Sequence, residues 1–73
     1  MNKQLINESI VAIFKSIYDS EPNFKTSIKD FGDEFDQIEL IMKIEEKYEI
    51  QISDDVSNSF NNLEDIIAYL ENI

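Results

Sequence analysis

Apolar residues in this chain recur at intervals of three and four on both sides of one segment, which holds the only proline, Pro22, and the only glycine, Gly32. That spacing is the signature of amphipathic helices, and proline and glycine are the strongest local punctuation a sequence carries. A first helix is therefore predicted over Lys3 to Tyr18, with Ile6, Ile10, Ile13, Phe14 and Ile17 on its buried stripe. A long loop, Asp19 to Gly32, follows, pinned to the core by Phe24, Ile28 and Phe31. A loop of this length is unusual in a compact domain and marks a particular architecture.

The second helix is expected to start at Asp33. Asp33 suits the N-cap, and Glu34 and Asp36 place negative charge in the first turn, where the helix dipole favours it. The helix runs through Phe35, Ile38, Leu40, Ile41, Met42, Ile44 and Tyr48. That is more apolar surface than one stripe needs, and it implies neighbours on more than one side. Ile50-Gln51-Ile52 alternates like a strand, but a lone strand has no partner, so it reads as an extended link. Ser53 caps a short turn of helix, Asp54 to Ser59. Asn61, with Glu64 three residues on, has capping-box spacing for a last helix that buries Leu63, Ile66, Ile67 and Leu70. The fold class expected is all-α, an antiparallel four-helix bundle with a short third helix and a long loop between the first two. Residues 1–73 are read as a single domain.

Composition removes several chemistries. The chain has 73 residues and contains neither Cys nor His. Disulfides, zinc fingers, thiol nucleophiles and imidazole bases are all excluded. The formal net charge of −10, with six basic residues, all lysine, argues against nucleic acid and against an anionic membrane surface. A basic protein surface is the natural complement, and plain solubility of a monomer is the ordinary alternative. Met1 to Asn7 carries one lysine and no long apolar run, and no stretch approaches the roughly 18 apolar residues of a membrane span, so a cytoplasmic setting is expected.

The segment from Asp33 to Tyr48, Asp-Glu-Phe-Asp-Gln-Ile-Glu-Leu-Ile-Met-Lys-Ile-Glu-Glu-Lys-Tyr, resembles the second helix of acyl carrier proteins. That family shows Asp-Ser-Leu-Asp, then Val-Glu-Leu-Val-Met, an apolar residue, Glu-Glu and an aromatic. The likeness continues through Ile52-Ser53-Asp54-Asp55, Phe60, Leu63 and Ile67-Ala68-Tyr69-Leu70, and in looser pattern through the first helix and loop. The family's serine carries 4′-phosphopantetheine through a phosphodiester, and the acyl group rides on that arm as a thioester. Here Glu34 stands in its place, and a carboxylate cannot form that bond, so no cofactor is expected. Ser27, Ser53, Ser57 and Ser59 lack the family's setting. Glu34 then reads either as a good first-turn residue or as a permanent stand-in for the phosphate charge.

The resemblance implies a docking face. Nine of the sixteen acidic residues lie between Asp33 and Asp55, against two lysines. In the family this face meets basic patches on acyl-transfer, synthase or ligase enzymes. The residues carried over are Asp33, Asp36, Glu39, Glu45, Glu46 and Asp54, with Met42 and Ile52 as apolar contacts. The ordinary alternative is a solvated helix face with Glu39–Lys43 as an i,i+4 pair. Leu40, Ile44, Phe14, Ile66 and Tyr69 could line space for an acyl chain, but a normally packed core is expected. No segment fits a calcium loop, no metal is expected, and nothing marks an enzyme. The function these residues imply is a binding module that docks by its second helix without carrying an arm. The alternative is an acyl carrier protein of fatty acid, polyketide or related acyl biosynthesis whose attachment serine has been substituted.

Overall fold

The computed structural model describes residues 2–73, and every regular element in it is helical. The helices are α1, Lys3–Tyr18; α2, Glu34–Tyr48; α3, Asp54–Ser59; and α4, Leu63–Glu71. A 3-10 turn at Ile28–Asp30 interrupts the long loop, where the sequence alone implied none. Three residues are too few to show a period. Ile50-Gln51-Ile52 belongs to no helix or strand, as expected of a link.

Each helix starts where a side chain can accept a backbone N–H that the helix leaves unpaired. Asn2 Oδ1 accepts from the Gln4 N–H at 2.8 Å. Asp33 caps α2 with a reciprocal box: the Asp36 N–H donates to Asp33 Oδ1 at 3.0 Å, and the Asp33 N–H donates to Asp36 Oδ2 at 3.4 Å. Ser53 Oγ accepts from the Val56 N–H at 3.3 Å at the head of α3. The last cap falls one residue later than the Asn61–Glu64 spacing implied. Asn62 and Asp65 form the box, and Asp65 Oδ2 also accepts from the Asn61 N–H at 2.8 Å. The Asn61 carbonyl accepts instead from the Ile28 N–H of the long loop, at 2.8 Å.

The core consists of Ile6, Ile10, Phe14, Ile28, Leu40, Ile44, Ile52, Leu63, Ile66, Ile67 and Leu70, with no polar or charged residue among the buried ones. α1 packs against both α2 and α4. Ile28 is buried, Phe24 and Phe31 pack on the core, and the Glu64 N–H donates to the Phe24 carbonyl at 3.3 Å, so the long loop is tied down as its apolar residues implied. Phe31 meets Phe14 edge-on at 4.7 Å, and Phe14 stacks on Tyr18 at 4.4 Å. This aromatic cluster sits under the start of α2. Gly32 is required there by close approach: a Cβ would lie 2.9 Å from Tyr18 Cε1 and would strike the Asp36 carboxylate that completes the α2 cap.

The apolar surplus on α2 is not absorbed by neighbours. Leu40 and Ile44 are buried, but Phe35, Ile38 and Met42 face solvent. At about 100° per residue, positions two apart lie on nearly opposite sides of a helix, so Ile38 and Met42 point away from the Leu40 stripe.

Candidate functional site

Position 34 is the first residue of α2, and its side chain is exposed beside the capping box. A carboxylate there sits in the positive end of the helix dipole. The serines lie elsewhere. Ser27 precedes the 3-10 turn, Ser53 caps α3, and the Ser57 and Ser59 hydroxyls donate to α3 carbonyls.

From Glu34 a stripe of Phe35, Ile38 and Met42 runs along α2, exposed by 79%, 50% and 60%. Three large apolar side chains in a row on one exposed face are unusual, because such patches normally mark interaction sites. Asp36, Glu39, Lys43 and Glu46 complete the walls of a shallow groove of about 470 Å³. Its charged lining is thus three carboxylates and one ammonium. The Glu39–Lys43 pair implied by spacing does not form: among the described residues the ion pair is Lys15–Glu21, between the end of α1 and the long loop.

The candidate residues do not all converge. Asp36, Glu39, Met42 and Glu46 share the groove, and Asp33 adjoins it at the cap. Asp54 is exposed at the start of α3, outside the groove. Glu45 is half-buried, and its Oε2 accepts the Ile52 N–H at 2.8 Å, so it fastens the link to α2. Ile52 is only 7% exposed and belongs to the core, which leaves little of it for a partner to touch. Phe35 and Ile38 are the residues that spacing alone treated as ordinary helix apolars. The available signal was their offset from Leu40, five residues for Phe35 and two for Ile38, neither of which is the three-or-four spacing of one helix face.

Beneath the groove's N-terminal end, the Tyr18 hydroxyl is buried without a hydrogen-bond partner. Burial raises its pKa above the ordinary 10.0, and the nearby Asp36, Asp33 and Glu39 carboxylates raise it further. Burial first, and then the carboxylates at the start of α2, disfavour the phenolate.

The residues named for an acyl space belong to the packed core or lie against it. Phe14, Leu40, Ile44 and Ile66 are all fully buried, and the cleft lined by Leu40, Ile28, Ile41 and Phe60 measures about 30 Å³, roughly the space of one water. No group of three or more carboxylates among the described residues is placed to hold a metal ion. No helix among them is long and apolar enough to cross a membrane.

The chain matches no protein-family model. Among curated proteins it is similar to the acyl carrier protein of Campylobacter jejuni strain RM1221, at 43% identity over 47 residues, 63% of this chain and 61% of that protein. It is 42% identical over 45 residues to the acyl carrier protein of Helicobacter pylori strain J99, covering 60% of this chain and 58% of that one. Against the acyl carrier protein of Sulfurovum sp. strain NBC37-1 it is 38% identical over 47 residues, 63% of each chain. The chain is thus similar to acyl carrier proteins over about three fifths of its length, and spans less than two thirds of theirs.

Proposed function

We propose that residues 1–73 act as one acyl-carrier-type domain of acyl biosynthesis, in which Glu34 occupies the attachment position and the face of α2 still docks on partner enzymes. The observation that carries this reading is the apolar stripe Phe35, Ile38 and Met42, walled by Asp36, Glu39 and Glu46 and beginning one residue after position 34. An exposed apolar centre with a charged rim is the anatomy of a transient protein interface, and the carboxylates would steer a basic partner towards it. The similarity to proteins named acyl carriers favours the carrier reading, with 4′-phosphopantetheine as the family's group. Glu34 has no hydroxyl to take it. The same residue favours a second reading, a docking module that never bears the arm. Under either reading the domain is a monomeric cytoplasmic binding partner and not itself a catalyst.

Docking can be measured without loading. An ordinary acyl carrier protein is loaded from coenzyme A by a broad-specificity phosphopantetheinyl transferase while this chain, unaltered, is added as competitor. Competitive inhibition that weakens with salt, and weakens again in Glu39→Lys and Met42→Ala chains, is expected. No inhibition by the native chain, or inhibition indifferent to salt and to both substitutions, would place its function elsewhere.

A further inference from the structure

The groove on α2 has one feature that a simple acidic docking face lacks. Lys43 sits in its wall, half-buried, between Glu39 and Glu46 and on the same lining as Phe35, Ile38 and Met42. A half-buried lysine lays its stem along apolar surface and keeps its ammonium at the water boundary. This ammonium makes no ion pair among the described residues, although Glu39 stands four positions before it and Glu46 three after, both at helical contact spacing. The groove therefore presents an ammonium without a close carboxylate partner to whatever lies on it. Any surface seated there must meet both signs of charge.

We propose that Lys43 sets partner choice on this face: the docked surface is basic around an apolar contact but carries an acidic side chain against Lys43, and a uniformly basic surface is disfavoured. This rests on the docking reading of the α2 groove. Like charges brought together at an interface are costly, and an arrangement that rejects the wrong partner needs a repulsive element beside the attractive ones. Lys43 supplies that element. The three carboxylates attract a basic surface in general, and the one ammonium selects among such surfaces.

The competition assay separates the two claims, using the native chain and a phosphopantetheinyl transferase as the basic probe. Lys43→Ala is expected to strengthen inhibition about threefold, and Lys43→Glu about tenfold at low salt, with the difference fading at high salt. Circular dichroism of both variants confirms that α2 is intact. If Glu39→Lys and Met42→Ala weaken inhibition while both Lys43 variants match the native chain or inhibit less, docking stands and the role of Lys43 is overturned. If neither the native chain nor either Lys43 variant inhibits, the docking reading itself fails, and the proposal that rests on it fails with it. Self-association of the native chain that Met42→Ala abolishes would assign the groove to a second copy and equally overturn it. A further arm reads the acidic side chain directly. A transferase variant with a lysine of its docking patch changed to Glu should recover affinity for the native chain, but not for Lys43→Glu, and equal losses for both chains would contradict the pairing.

Discussion

Two residues near the candidate site do structural work that their chemistry could disguise as function. The Glu45 carboxylate looks like part of an acidic docking band, yet it accepts the Ile52 N–H and holds the link after α2 against the core. Glu45→Ala should leave that partly buried N–H without a partner and lower stability by about 1–2 kcal/mol, measured by denaturant unfolding. A stability unchanged by Glu45→Ala would return Glu45 to the surface band. Charge reversal meant to probe docking therefore belongs at Glu39 and Glu46. Tyr18 makes the second case. Its proton is held more tightly in the folded protein than in the unfolded chain, because burial and then Asp36, Asp33 and Glu39 disfavour the phenolate. The stability linked to it is complete below the ordinary value of 10.0 and is lost as pH rises through the higher folded value. Melting temperatures measured up the alkaline range should fall less steeply for Tyr18→Phe than for the native chain. At neutral pH the variant should be as stable or slightly more so, since the hydroxyl it removes is buried and unpartnered. A parallel decline in both chains would contradict this.

At the scale of elements, helix starts were legible wherever one capping residue stood alone. Asp33 and Ser53 each precede a helix that begins on the next residue, and α1 begins at Lys3 as its apolar spacing implied, with Asn2 as a cap that spacing did not reveal. The start of α4 was ambiguous, because Asn61-Asn62 and Glu64-Asp65 offer two boxes one residue apart. The structure forms the box at Asn62 and Asp65, and the Asn61 carbonyl meets the Ile28 N–H of the long loop. Asn62→Ala should accordingly destabilise the protein by about 1 kcal/mol while Asn61→Ala costs much less, and the reverse order would restore the earlier register. The solvent side of α2 was legible only as surplus. Spacing identified Phe35, Ile38 and Met42 as apolar helix residues, but which stripe meets α1 depends on packing that no local pattern contains. Ile52 failed in the opposite sense: an alternating link gives no sign of which side chain turns inward. The shortness of α3 was readable from its cap and its polar run. With no buried residue of its own, it is held mainly by its neighbours Ile52 and Phe60.

The whole molecule combines a small apolar core with a formal charge of −10. Its radius of gyration, 11.1 Å, matches the roughly 11 Å expected of a compact chain this long, so the charges are confined to a small surface. Self-repulsion should then lower stability in dilute buffer, and the melting temperature should rise by several degrees from very low to moderate salt. A flat response would mean that the charges are too dispersed to oppose folding. On the function proposed above, the chain is an acyl-carrier-type domain that keeps its α2 docking face and has Glu34 at the attachment position. Glu34 is exposed in the first turn, and serine is suited to the same place, so Glu34→Ser should fold with little loss. The most direct measurement is the intact mass of the native and Glu34→Ser chains after incubation with coenzyme A and a broad-specificity phosphopantetheinyl transferase. A mass increase equal to the phosphopantetheine arm is expected in Glu34→Ser alone. A folded Glu34→Ser chain that stays unmodified, or a native chain that gains the arm, would contradict it.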